Sequence, residues 1–342
     1  MIIKTIKMIP CVISLFFIIS LSIFTLFYQY KQNYEYLYPF TPVTNTTGLH
    51  SLDPIPPLYE GDCKNIFQYK SNNKRDVIIY VVSKGIRKVF ESEQMLNGFS
   101  ITRKAVPHAR IILIVADALP ENSERLMKSV EENNMELHII KQPFEGNIVT
   151  VRFYMISDFL QKHKNDIDRV MLIDARDAGL FGDFFSTFTV SELGWVTEKY
   201  GKGENDFYGP ATFSYHHKWI KSFTPEWFLN EMVEKKYPCI NGGFTFGGID
   251  KILAFLKIFI ENIDRKHLNE WGYDQALMNY LYYGTEKIKH LNITLEQCTQ
   301  RICYYGGDIF LFTGNAIVFK DTFCSPVAYH KIGDSHGHIN HR

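Results

Sequence analysis

Between residues 77 and 173 the chain alternates short, almost unbroken apolar runs with stretches of helical period. That alternation limits the fold more than any other feature of the sequence. Val77-Ile78-Ile79-Tyr80-Val81-Val82 offers no polar face, so a strand made of it must be covered on both sides. Ile111–Val115, Leu137–Ile140 and Arg169–Ile173 repeat the pattern. The intervening stretches Glu91–Lys104, Glu121–Asn133 and Thr150–Gln161 read as helices. In the last of these, Val151, Tyr154, Met155 and Phe159 fall on one apolar face. Strands and helices in this order make parallel βαβ units, hence an α/β domain with a Rossmann-like N-terminal half. Ligands of such sheets sit beyond the carboxyl ends of the strands, which directs attention to the residues after Ile173.

Those residues are Asp174-Ala175-Arg176-Asp177, then Gly179 and Gly182-Asp183. Two carboxylates at the end of a buried strand repel each other and resist desolvation. A divalent cation with oxygen ligands resolves both problems and can bridge to phosphates. The alternative is a salt-bridged corner in which Arg176 neutralises both acids. Further on, Asn241-Gly242-Gly243 lies in a glycine-rich stretch that suits either close backbone approach to a ligand or a tight turn. Leu253, Leu256, Ile260 and Ile263 then recur at helical spacing as core positions. Asp274-Gln275 opens another helix, where the aspartate can serve as N-cap, as ligand contact, or as both. His330 ends the apolar run Val327-Ala328-Tyr329, unlike His336, His338 and His341 in the tail. On the residues alone, Arg152 is a solvent-facing residue or a partner for Asp158.

Taken together and in this order, these segments resemble the GT-A nucleotide-sugar glycosyltransferases, most of all glycogenin-like and related families. The resemblance runs from Val77 to about His336. It implies a GT-A domain, Rossmann-like with a mixed central sheet. In those families the acidic motif is written D-x-D, and here it takes a D-x-R-D form. By the resemblance, Asp174, Asp177 and His330 bind Mn²⁺ or Mg²⁺. Arg152, Asp174, Asn241, Gly242, Gly243 and Gln275 contact the donor, and Asp274 is the catalytic carboxylate at the sugar. The lysine-containing C-terminal metal motif of glycogenin-like enzymes is missing. The implied donor is a nucleotide sugar, with UDP the commonest nucleotide, and the acceptor is a hydroxyl of a glycan, protein or lipid.

The chain's 37 basic and 37 acidic residues leave no net charge, which disfavours general nucleic-acid binding. From Met8 to Tyr30 there is no charged residue, and Ile9–Phe27 is long enough to cross a bilayer, which needs about 20 apolar residues. Lys4 and Lys7 precede the run, so the positive-inside bias keeps the N-terminus cytosolic. The run exceeds a signal peptide's apolar region, and Phe27-Tyr28-Gln29-Tyr30 makes a poor cleavage site, which predicts an uncleaved signal-anchor. Asn45-Thr46-Thr47 and Asn292-Ile293-Thr294 are glycosylation sequons.

Beyond Cys11 there are Cys63, Cys239, Cys298, Cys303 and Cys324. An oxidising lumen permits disulfides, but an odd number leaves at least one thiol over. Zinc at Cys298, Cys303 and Cys324 is the other reading, although no CxxC pair occurs.

The expected organisation is a cytosolic tail (1–8), a membrane helix (9–30), a stem (31–72), the GT-A domain (73–336) and a tail (337–342). The expected activity is metal-dependent sugar transfer by a single-pass type II protein of the Golgi or endoplasmic reticulum membrane. Two other readings compete with it. One is a phosphatase with Asp174 as nucleophile, for which the second acid should stand where Arg176 is. The other is a non-catalytic lumenal protein that binds sugar nucleotides or glycans.

Overall fold

The computed structural model describes residues 40–42, 59–83, 92–116, 123–141, 144–198, 214–304, 310–313 and 316–330. The apolar runs are strands and the periodic stretches helices, as their patterns predict. The elements in chain order begin β1 (Phe40–Pro42), β2 (Asp76–Ser83), α1 (Glu93–Ala105), β3 (Arg110–Ala116), α2 (Glu124–Glu132), β4 (Glu136–Ile140) and α3 (Ile148–Lys162). They continue with β5 (Arg169–Ile173), β6 (Ala178–Leu180), β7 (Leu193–Thr197), α4 (Ser214–Phe223), α5 (Glu226–Glu234), β8 (Ile240–Gly248) and α6 (Ile249–Glu261). The last are α7 (Tyr273–Tyr283), β9 (Thr294–Glu296), β10 (Ile302–Tyr304), β11 (Phe310–Thr313), β12 (Ala316–Phe319) and β13 (Ala328–His330).

Seven strands form the central sheet in the order β4-β3-β2-β5-β8-β7-β9. The first four are parallel, β8 runs antiparallel to both β5 and β7, and β9 is parallel to β7. The architecture is therefore α/β with a mixed central sheet. A smaller sheet, β10-β13-β6, packs on one face of it. The strand period of two sorts β2 between two cores. Ile78, Tyr80 and Val82 join α1, α2 and the small sheet through Phe99, Leu126, Leu180 and Tyr304. Val77 and Ile79 face Phe153 of α3, Phe255 of α6 and Leu281 of α7. Each fully buried side chain of this size is worth about 1.5–3 kcal/mol, so the two cores dominate the stability of the sheet.

Three features differ from expectation. Tyr154 is exposed rather than part of the apolar face of α3, because α3 packs through Val151, Phe153, Ile156, Phe159 and Leu160. The buried stripe of α6 is Ile252, Phe255, Leu256 and Phe259. Leu253 and Ile260 are partly buried at its edge, and Ile263 lies past the helix end. Residues 59–72, expected in the stem, lie against the body. Cys63 is bonded to Cys324, the Tyr59 hydroxyl donates to the Pro326 carbonyl, and Asn72 bridges Asp183 to the backbone of His108 and Ala109. Among the cysteines, disulfides prevail over the zinc reading, and a second one joins Cys298 to Cys303. The cysteines considered for zinc are thus consumed in pairs, and Cys239 is the buried thiol left over among the described residues.

The run Ile9–Phe27 and Asn45 lie outside the described residues, and among the described residues no helix is long and apolar enough to cross a membrane. Asn292 and Thr294 of the second sequon are exposed, with Asn292 in the left-handed region at φ +53°.

Candidate functional site

Strand register brings the site together. β5 ends at Ile173, opposite Phe244 of β8, and the next backbone N–H, that of Asp174, donates to the Gly243 carbonyl at 2.8 Å. Asp174 therefore emerges beside the Asn241-Gly242-Gly243 segment. Just past Asp177, β6 pairs antiparallel with β13 so that His330 stands opposite Ala178. That register sets His330 next to Asp177. Its imidazole Nε2 is 3.3 Å from Asp177 Oδ1 and 3.6 Å from Asp174 Oδ2.

One potential ligand atom from each of Asp174, Asp177 and His330 lies within 4.8 Å of the others. Neither ring nitrogen of His330 makes a well-formed hydrogen bond although the residue is 0 % exposed, so the two carboxylates are what its Nε2 faces. Two carboxylate oxygens and an imidazole are a donor set suited to Mn²⁺ or Mg²⁺. Gly243 makes the convergence feasible. A Cβ there would lie 2.3 Å from Asp174 Oδ2 and 2.6 Å from His330 Cε1, so a side chain would drive the two apart.

Asp177 is 2 % exposed and shares its oxygens: Oδ2 accepts from Arg176 Nη2 at 2.8 Å while Oδ1 faces His330. The Arg176 corner and the convergent cluster therefore coexist at this residue. Arg152 does not face solvent and does not pair with Asp158, which binds Lys162. Asn147 caps the start of α3, its side chain accepting from the Val149 N–H at 3.2 Å, and the helix then carries Arg152 into the site. There Nη1 donates to Asp174 Oδ1 at 2.5 Å, and Nη2 donates to the Gly242 carbonyl at 2.9 Å and to Asp274 Oδ2 at 3.4 Å.

The electrostatics reflect these contacts. Burial raises the Asp174 carboxyl, but Arg152 and His330 outweigh it and hold the group well below the usual carboxylate range. Burial dominates at Asp274, against the pull of Arg152, and lifts it to about 6. His330 is raised: burial opposes the charged ring, while Asp174 and Asp177 together favour it more. The N-cap of α7 is Gly272 at φ +82°, with the Trp219 ring against the place a Cβ would take. Asp274 thus lies inside the first turn and is not the cap.

The sequence reading missed Glu198 and His216. Glu198 directly succeeds the buried strand β7 and is itself 3 % exposed. Its Oε1 accepts from Asn241 Nδ2 at 2.8 Å and from Gln275 Nε2 at 2.9 Å, and its Oε2 lies 3.0 Å from His216 Nε2. Asn241 Oδ1 in turn accepts from the Gly243 N–H at 2.7 Å. Both ends of the Asn241 amide are therefore engaged inside the protein. An acid directly after a five-residue buried strand is the same signal that marks Asp174, and it would have identified Glu198. Nothing in the Tyr215-His216-His217 run would have singled out His216.

No protein-family model matches the chain, and no curated protein matches it. Among solved structures it is similar to the glycosyltransferase GlyE of Streptococcus pneumoniae, with 14% identity and a TM-score of 0.38, over 66% of this chain and 45% of that one. It is also similar to a protein described as a putative glucose-1-phosphate thymidylyltransferase of Bacillus anthracis, with 12% identity and a TM-score of 0.38, over 66% of this chain and 87% of that one. The chain therefore spans less than half the length of the first of these. Both likenesses are distant, and the functional reading rests on the site.

Proposed function

We propose that the protein is a metal-dependent glycosyltransferase that uses a nucleotide-diphosphate sugar, with UDP as the nucleotide, and a hydroxyl acceptor on a glycan, protein or lipid. The convergence of Asp174, Asp177 and His330 beyond the carboxyl end of β5 carries the reading. Those three side chains would hold Mn²⁺ or Mg²⁺, which when bound neutralises the donor diphosphate and acts as a Lewis acid toward the departing nucleotide. Arg152 keeps Asp174 ionised and aimed, and it ties Asp274 to the same guanidinium. Gly242 and Gly243 leave the backbone bare where a sugar would lie. Asp274 supplies the carboxylate at the sugar, and Gln275 an amide beside it.

The proposed setting is the lumen of the endoplasmic reticulum or Golgi, with the chain anchored by Ile9–Phe27. The two disulfides suit an oxidising compartment, and the exposed Asn292 sequon would be open to glycosylation. Calorimetric titration of UDP into the full-length chain tests the core of the proposal. Binding should occur with Mn²⁺ and disappear when the ion is chelated. Equal UDP binding with and without Mn²⁺ would refute the metal role, and UDP binding without hydrolysis or transfer of any UDP-sugar would favour the non-catalytic binding protein.

A further inference from the structure

Glu198 is joined to two parts of the site that come from distant places in the sequence. Through Asn241 it reaches the glycine segment of β8, and through Gln275 the first turn of α7. An ionised carboxylate can only accept hydrogen bonds, so each amide must turn its NH₂ group toward Glu198. For Asn241 the consequence is internal, since its oxygen then takes the Gly243 N–H. For Gln275 the consequence falls on the other end of its amide. With Nε2 committed to Glu198, its Oε1 is turned away from that carboxylate on a half-buried side chain, and the amide cannot flip without setting oxygen against oxygen.

His216 secures the arrangement from behind. It is 1 % exposed and holds the other carboxylate oxygen, so the acid is paired, not merely buried. Burial raises Glu198, yet His216, Asn241 and Gln275 together bring it down to about 2, which keeps it an obligate acceptor across the physiological range.

We propose that Glu198, held by His216, is the positioning residue of the sugar subsite, turning Gln275 so that a carbonyl oxygen and not an NH₂ group meets the sugar. This inference rests on the nucleotide-sugar reading and deepens it by naming what the subsite selects. Gln275 then offers an acceptor next in sequence to Asp274, whose Oδ2 accepts from Arg152. Such a subsite takes a sugar that presents a hydroxyl or amide N–H toward Gln275 and rejects an epimer that turns that donor away. A site built to accept a hydrogen bond is left with an orphaned polar atom when the donor is missing.

Glu198→Gln is the decisive variant. It preserves shape while allowing residue 198 to donate, which releases the Gln275 amide to rotate. Binding and hydrolysis would be measured on the full-length chain with free UDP, UDP-glucose, UDP-galactose and UDP-N-acetylglucosamine, all with Mn²⁺. Glu198→Gln should keep the Kd for free UDP within about twofold of wild type, while kcat/KM for the preferred UDP-sugar falls roughly ten- to a hundredfold and discrimination among the sugars shrinks. Gln275→Leu removes the acceptor and with it one donor to Glu198, which keeps Asn241 and His216, and it should reproduce that loss, adding little in the double variant.

Unchanged sugar discrimination in Glu198→Gln would overturn the inference, and so would an equal loss for UDP and for UDP-sugars. Should Glu198→Gln fail to fold, wild-type sugar kinetics in Gln275→Leu would overturn it just as well. A wild-type chain that binds no UDP with Mn²⁺ overturns the nucleotide reading and this inference with it. UDP binding intact beside a wild-type-like Glu198→Gln overturns this inference alone.

Discussion

The two ends of β5 each carry an arginine–aspartate pairing, and they could hardly differ more. At the N-terminal end Arg169 meets Asp76 in a bidentate pair, both bonds 2.7 Å, and both side chains are buried. Its remaining N–H groups go to backbone carbonyls, those of Lys70, Ser71 and Phe185 among them, while Asp76 also accepts from the backbone and side chain of Asn73. One positive group meets one negative group, and the polar atoms of both are engaged. At the C-terminal end Arg152 and Arg176 face three carboxylates, Asp174, Asp177 and Asp274. The acids outnumber the guanidinium groups, and His330 is drawn toward its charged form as a result. Matched charges with matched hydrogen bonds are what a fold uses to hold itself together. A surplus of carboxylate oxygen, held in place by neighbouring strands, is what a cation can use.

The sharpest way to break this contrast is to remove one partner at each end. Asp76→Ala strands a buried guanidinium and should cost about 3–5 kcal/mol of folding stability in a denaturant melt. A loss below about 1 kcal/mol would show that the N-terminal pair is not the anchor described. Asp177→Asn at the other end should do nearly the reverse. It should weaken Mn²⁺-supported UDP binding on the order of 100-fold, about 2.7 kcal/mol, while the melt moves little. Severe unfolding with intact metal-dependent binding would place Asp177 among the structural acids.

The Glu198–His216 pair lies between these extremes, balanced like the first and next to the second, and its pH dependence sharpens the comparison. Burial disfavours the His216 cation, but Cys239 and Glu198 more than offset this and raise it to about 10. A raised cationic group stabilises fully below its unfolded value of 6.5, and that stability drains away as pH climbs toward about 10. Glu198, held down to about 2, stabilises fully above 4.5 and loses the effect as pH falls toward about 2. The gap in melting temperature between wild type and His216→Gln should therefore be widest at roughly pH 5–6 and narrow toward about pH 10. A gap that widens with pH would show that the histidine is buried neutral. The smallest effect is expected at the exposed Asp158–Lys162 pair, where Lys162→Ala should leave the melt and UDP binding unchanged within error.

How much of the molecule is legible in its sequence depends on the range of the interactions. The parallel strands β2, β3 and β5 are legible because each buries both faces, and residues such as Ile78 and Ile79 must be apolar whatever lies beyond them. The acids of the site nearest β5 are legible because Asp174 and Asp177 break an apolar strand abruptly. Tyr154 misleads because the period of a helix gives its faces but not which one a second layer of helices will cover. The bond from Arg152 to Asp274 and the grip of Glu198 on Asn241 and Gln275 depend on where β8 and α7 come to lie. The bulge contributes as well: β7 pairs Trp195 with Thr245 and then Val196 with Asn241, so Gly242, Gly243 and Phe244 swing free of β7. No local pattern announces a three-residue excursion of that kind.

The pairing of β6 with β13 also sets a timetable. A ribosome delivers Asp174 and Asp177 early, then β8, α6 and α7, and only much later the strand that brings His330 opposite Ala178. Until that strand docks, the two aspartates lack the histidine that completes the cluster. The cluster is thus completed from the C-terminal side of the described chain, and a chain that stops short of β13 lacks it.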